Sequence, residues 1–341
     1  MLPRAVIAAL LAGSAALMAA TDQARQSPPP SSAAGDSAGA SSETPPLPRP
    51  ALHSEEALDL PGLHNLVAFH EEVWSGSAPA GDAGFDSLKS LGVQTILSVD
   101  GALPDLDRAR ARGMRYVHLP IGYDGFEQAR KLQLTRAVRD LPRPIYIHCH
   151  HGKHRSAGAA AAIAVSLGWL TPDEAAARMK VSGTAPGYAG LWRCAAESAP
   201  IAAALIDATP ADFPERTMPG SLVAAMVEID QVHDRLMLSK KSGWIAPPEH
   251  PDLAPLADAG RLADLYRLLD DEDRLSEVPA SQRDVVREWF VREGRTAAHL
   301  ETLIESMDRP GQDTDQARER ASAALATLSS DCLDCHRRHR D

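Results

Sequence analysis

The sequence predicts an α/β domain with a mostly parallel central sheet, followed by an all-α four-helix bundle. Three observations carry that reading. Between residues 66 and 169, short runs of Val, Ile, Leu and Tyr alternate with helical stretches, and strands that alternate with helices pair in a parallel sheet. Beyond residue 220 the alternation stops, and four segments of helical periodicity follow, with Pro, Gly and Asp between them. Residues 206–220, rich in Pro, Asp and Thr, have the composition of a boundary. The chain beyond residue 52 is also too long for one comfortable core, so domains at 53–205 and 221–341 are expected.

Residues 1–20 carry one positive charge, Arg4, ahead of an Ala-rich apolar stretch that ends in small residues, and read as a secretory signal peptide. No cysteine precedes Cys149, so the sequence offers no lipoprotein anchor. Residues 21–52 are mostly Ser, Pro, Ala and Gly; they cannot bury enough apolar surface to order themselves and are expected to be a disordered linker. The expected location is periplasmic or secreted.

In the α/β part, residues 66–69 and 73–76 are expected as strands and 86–91 as a short helix closed by Gly92. Residues 93–99 form a continuous apolar strand pattern, 104–113 a helix, 115–119 a strand and 126–141 an amphipathic helix. An apolar run with Ile145, Tyr146 and Ile147 reads as a buried strand, and 156–169 as the helix packed on it. Thr171, Pro172, Asp173 and Glu174 supply a cap, a Pro at the first helical position and first-turn acids. A helix over 187–203 carries Cys194, expected to pack in the core, with a reversible bridge to Cys149 as the alternative. The later helices are expected at 221–240, 251–270, 281–307 and 314–340.

Between the apolar strand and its helix stands Cys149, then five residues, then Arg155 and Ser156. The chemistry of phosphate-ester cleavage explains that arrangement. The nucleophile is a thiolate, which backbone N–H groups curled around a turn and the positive end of a following helix favour. The same N–H groups receive phosphate oxygens. Arg155 would clamp two oxygens with its planar fork, Gly152 permits the backbone twist, and Ser156 could donate its hydroxyl to the sulfur when the intermediate hydrolyses. His150, His151, Gly152, Lys153 and His154 would line the substrate, and the loop's field should grow as the histidines protonate below about pH 6.5. Departure of the alkoxide needs a proton, for which Asp124 is the candidate acid and Asp100 and Asp105 its competitors. A buried cysteine beside a solvated basic loop, and a metal site built from Cys149 with His150, His151 and His154, are the alternatives to this chemistry. The net charge of −11 and the aromatic content of 4% argue against general nucleic-acid binding, whereas locally basic character suits a small anionic or phosphorylated substrate.

The loop Cys149-His-His-Gly-Lys-His-Arg155-Ser156 resembles that of the cysteine-dependent protein tyrosine phosphatases, in their atypical dual-specificity branch. It is similar to the Cys-Lys-Arg-Gly-Lys-His-Arg-Thr loop of plant and fungal members that act on inositol pyrophosphates, with His150 and His151 in place of Lys-Arg. The resemblance spans roughly residues 63–194. It implies an α/β phosphatase domain working through a cysteinyl-phosphate.

Near the other end stand Cys332, two residues, then Cys335 and His336, the attachment signature of covalent haem c. One helical turn separates the thiols, so both can reach the edge of a porphyrin, and the His336 imidazole can ligate iron. A zinc site from Cys332, Cys335, His336 and His339, or a disulfide-capable pair, is the alternative. A four-helix bundle with this motif in its last helix resembles cytochrome c′, a likeness spanning about residues 220–341 that makes His336 the proximal ligand. On the first helix Leu222, Met226, Ile229, His233 and Leu236 share a face, and His233 or Met226 is the candidate distal ligand. Haem-maturation machinery and an electron-transfer partner are the expected partners, and a homodimer is admitted. The competing functional reading is a haem electron-transfer or gas-binding protein whose first domain binds an anion without turning it over.

Overall fold

The computed structural model describes residues 47–217, 220–251 and 253–339. The expected signal peptide (1–20), most of the expected linker and Arg340 lie outside the described residues. The described end of that linker, 47–52, rests on the sheet domain: Leu47 and Leu52 pack against one of its two clusters, and Arg49 reaches the Leu91 carbonyl at 3.4 Å.

Six strands form one sheet: β1 (Leu58–Leu60), β2 (Leu63–His70), β3 (Val73–Ser77), β4 (Thr95–Ser98), β5 (Arg115–His118) and β6 (Ile145–Cys149). Their order is β1-β2-β3-β6-β4-β5. The β1–β2 and β2–β3 pairs are antiparallel; β3–β6, β6–β4 and β4–β5 are parallel. The mostly parallel sheet follows from the strand–helix alternation. β6 is central and buried along its length, as its unbroken apolar run predicts. Its side chains still divide by the pleat: Ile145, Ile147 and Cys149 enter one cluster, Tyr146 the other.

On the Tyr146 face lie α1 (Gly81–Ser90) and α2 (Leu106–Ala111). On the opposite face lie α3 (Gln128–Asp140), α4 (Arg155–Ser166), α5 (Pro172–Val181) and α6 (Ala189–Ala196), followed by α7 (Ala203–Ala208). Every residue of α4 is buried; its run of alanines lets the helix axis come close to the sheet. α5 opens on Thr171 as its cap and Pro172 in its first turn, as expected, and Thr171 and Glu174 further close a capping box, each bonded to the other's backbone. The helix expected over 187–203 stops at Ala196, ahead of Pro200, and a separate helix, α7, begins only at Ala203 and runs into the expected boundary segment. Strand β1, whose residues alternate too briefly to signal one, was not anticipated.

Four long helices follow: α8 (Leu222–Lys241), α9 (Pro255–Leu269), α11 (Arg283–Ser306) and α12 (Thr314–His339), with the one-turn α10 (Glu272–Leu275) between α9 and α11. α9 packs against α8 and α11, and α12 against α11 and α8. Most of α9 is buried around its circumference, since its remaining face lies on the sheet domain. One cluster accordingly runs from Leu97, Ile147 and Cys149 of the sheet to Leu262, Phe290 and Leu325 of the helical layer. The segment 206–220 joins two layers that share this core. Among the described residues no helix is long and apolar enough to cross a membrane.

Candidate active site

Cys149 is the last residue of β6, paired in register with Ser77 of β3, so the sheet itself fixes the thiol at the carboxyl end of the parallel strands. The chain then turns through 150–154 into α4. Gly152 makes that turn possible: its φ is +75°, and a Cβ there would lie 2.3 Å from Ser77 N. The Ala78 N–H donates to the His150 carbonyl at 3.1 Å, and Asn65 Nδ2 donates to the carbonyls of Gly152 and Ser182 at 2.9 and 2.7 Å. Asn65, at φ +61°, is a clamp on the loop that the sequence does not signal. Cys149 Sγ stands 3.3 Å from Ser156 Oγ, the contact expected of the hydroxyl that assists the sulfur.

Arg155 is 1% exposed at the first turn of α4, and its guanidinium faces Asp100, Tyr123 and Asp264. Nη2 donates to Asp100 Oδ1 at 3.1 Å, to Tyr123 Oη at 2.8 Å and to Asp264 Oδ1 at 3.1 Å, while Nη1 donates to Asp264 Oδ2. The Tyr123 ring lies under the guanidinium carbon at 4.1 Å. Arg267, on α9, donates to Asp264 Oδ1 and reaches Asp100 Oδ1 at 3.4 Å. Burial works against charge on Asp100, but Arg155 and Arg267 override it and hold the carboxyl well below the usual range. Burial likewise opposes the charge of Arg155, and Asp264 and Asp100 more than offset it. Asp264 is pushed up by its burial, with both guanidiniums opposing.

The expected field of protonating histidines is corrected by the geometry. Burial, with Arg267 beside it, pushes His150 down to about 3. Partial burial of the ring and the nearby Arg267 and Lys153 lower His151 too. His154 is buried beneath the loop, its ring 4.2 Å from that of Tyr188, its Nδ1 3.4 Å from the Ala185 N–H, and its pKa held well below the ordinary value. It packs the loop from behind instead of lining a substrate. His150 and His154 stay neutral near pH 6.5, and the lasting positive charges are Lys153, Arg155 and Arg267.

Among the candidate acids, Asp100 is committed to Arg155, and Asp105 caps α2, accepting from Arg108 N at 3.2 Å. Asp124 is exposed and borders a cavity of about 520 Å³ with Tyr123, Arg235, Asp258 and Arg261. Cys149 is not among the residues lining that cavity. Cys194 packs under the same loop, 3.4 Å from Phe126 N, and both it and Cys149 are free thiols. The loop that carries Asp124 therefore sits on Cys194, apart from the partners of Cys149.

In the helical layer, Cys332, Cys335 and His336 border one cavity of about 370 Å³. Met226, Ile229, His233, Tyr266, Trp289 and Phe290 also line it. The lining is compatible with a porphyrin: two thiols one turn apart on α12, an exposed imidazole next to the second, and a mainly apolar recess that also holds Met226 and His233, with Asp230, Asp234, Glu293 and Asp331 on its border. His233 Nε2 is engaged with Ser329 Oγ at 2.7 Å, so Met226 is the candidate without a competing hydrogen bond. Cys332 Sγ lies 3.3 Å from Tyr266 Oη, and burial pushes both thiols up. Among the described residues no three His, Cys, Asp or Glu side chains converge as a metal site, so neither the zinc set nor the Cys149–histidine set is assembled.

Asp264 and Arg267 escaped the sequence reading. The signal for them was a charge at every third residue of a helix rich in Leu and Ala, Asp258, Arg261, Asp264 and Arg267, where a buried carboxylate must find a cation.

No family model matches the chain, and no curated protein matches it. Among solved structures it is similar to P. aeruginosa TpbA in complex with pTyr, at 23% identity over 39% of this chain and 91% of that one, with a TM-score of 0.30. A second is the core catalytic domain of the PP-IP phosphatase SIW14 from S. cerevisiae, at 20% identity over 46% and 90%, with a TM-score of 0.30. A third, a DUF442 protein of Shewanella putrefaciens, matches at 16% identity over 45% and 93%, with a TM-score of 0.32.

Proposed function

We propose that the chain is an exported cysteine-dependent phosphatase of the protein-tyrosine and dual-specificity type, joined to a layer that carries covalent haem c. The observation that supports it best is the single loop in which Cys149 Sγ meets Ser156 Oγ at 3.3 Å and Arg155 stands at the first turn of α4. The Cys149 thiolate attacks phosphorus, the P–O bond to the leaving group breaks, and Asp124 supplies the proton to the departing oxygen. Loop N–H groups and Arg155 hold the equatorial oxygens. Water, deprotonated by the same aspartate, then cleaves the S–P bond, and Ser156 donates to the sulfur as it leaves. Asp100 keeps the guanidinium charged and aimed.

The substrate is a phosphotyrosine-type ester or a polyphosphorylated small molecule, and the added charge of Lys153 on the loop favours the second. Cys332 and Cys335 would hold the haem and His336 would ligate its iron. When bound, the group supplies one-electron exchange or a site for a diatomic ligand. Export is the premise for covalent attachment, and it implies the haem-maturation machinery as a partner. The test is phosphate release by the purified full chain from an aryl phosphate and from a phosphorylated inositol at two ionic strengths. Release lost in Cys149→Ser, with an inositol preference that shrinks in high salt, supports the reading. Release that persists in Cys149→Ser sinks it.

A further inference from the structure

Arg155 is the group a phosphatase of this kind would use to bind phosphate, yet here its donors are already engaged. Both terminal nitrogens of the guanidinium meet both carboxylate oxygens of Asp264, the fork-to-fork pairing that a phosphate would make. With Asp100 and Arg267 the cluster holds two carboxylates against two guanidiniums, so no net positive charge is left for a dianion. Cys149 is 2% exposed and Arg155 1%. A carboxylate has two oxygens where a phosphoryl group has three, and the remaining donor of Arg155, the buried Nε, has no hydrogen-bond partner among the described residues. The seat is closely made. A methyl group at Gly101, after β4, would lie 3.1 Å from Asp264 Oδ2. Buried ion pairs add little net stability over apolar packing, so a need for adhesion alone does not explain a carboxylate at this point of α9.

We propose that Asp264 is a built-in pseudosubstrate: its carboxylate occupies the phosphate position of the Cys149 loop and keeps the enzyme closed until α9 shifts. The proposal rests on reading that loop as a phosphate-binding site. The opposite edge of α9 carries Tyr266, whose hydroxyl lies 3.3 Å from Cys332 Sγ, so one helix touches both the plug and the Cys-x-x-Cys-His cavity.

The experiment compares the full chain with Asp264→Asn, which keeps the shape and removes the charge, and with Gly101→Ala, which pushes on the carboxylate from the sheet side. Inorganic phosphate affinity is measured by calorimetry, and kcat/KM on an aryl phosphate by phosphate release. Asp264→Asn should bind phosphate about tenfold more tightly, as expected when a closed state holding about nine-tenths of the molecules is relieved, and turn over faster by a similar factor. Gly101→Ala should move both in the same direction by less. Folded variants that bind phosphate no better than the wild type overturn the proposal, and Gly101→Ala decides alone if Asp264→Asn does not fold. Tighter phosphate binding without turnover in any form leaves the plug standing and removes the phosphatase reading. Wild-type turnover with unchanged affinities does the reverse.

Discussion

Arg155 and Asp264, 109 positions apart in the chain, meet in the buried seam between the sheet domain and the helical layer, Nη2 to Oδ1 at 3.1 Å. Neither side chain is more than 1% exposed, so removing one partner strands the other away from water. Arg155→Ala should therefore destabilise the chain by roughly 3–5 kcal/mol in urea unfolding, because Asp264 and Asp100 would be left with Arg267 alone. A loss under about 1 kcal/mol would mean that the seam opens to solvent in the wild type.

Asp124 is the only one of the three candidate acids whose carboxylate is not already held by a structural partner identified above. Asp124→Asn should slow turnover by roughly two to four orders of magnitude on alkyl phosphates, whose leaving groups need a proton, and far less on nitrophenyl phosphate. Equal losses on both substrates would take Asp124 out of the acid role.

Glu301 of α11 lies 3% exposed against the sheet domain, its Oε1 accepting from Tyr188 Oη at 2.7 Å, and its burial lifts it from 4.5 to about 7. The folded protein therefore holds a proton that the unfolded chain releases between those values. The stabilisation is complete below about pH 4.5 and is lost as pH rises through about 7. Glu301→Gln, which cannot ionise, should gain on the wild type by up to about 3 kcal/mol between pH 5 and pH 8 in urea titrations. Parallel stability profiles would show that Glu301 is hydrated.

How far the sequence was legible depended on how local each feature is. Cys149, Gly152, Arg155 and Ser156 lie within one strand–turn–helix, so turn geometry alone places them, and the observed loop has the expected form. Asp264 reaches Arg155 only through the docking of α9, which no local spacing encodes. His154 shows the other limit. In the sequence it is one of several basic neighbours, but its position at the base of the loop buries it against Tyr188 and keeps it neutral. The end of α6 ahead of Pro200 is readable in the sequence, whereas α7 runs into the Pro-, Asp- and Thr-rich boundary, where composition argues against a helix.

Cys332 and Cys335 face a common recess with His336 and Met226. Protein made with haem-maturation machinery should retain haem through denaturing electrophoresis, and the doubly substituted Cys332→Ala, Cys335→Ala chain should lose it. Zinc in place of iron by elemental analysis would contradict this part of the account.

The most direct measurement is a single turnover of the full chain with a phosphorus-32-labelled aryl phosphate, quenched in alkaline detergent and followed by mapping of the labelled peptide. The account predicts an acid-labile, alkali-stable, thiol-linked phosphate on Cys149, absent from Cys149→Ser. Label on any other residue, or phosphate released at the same rate by Cys149→Ser, would contradict it.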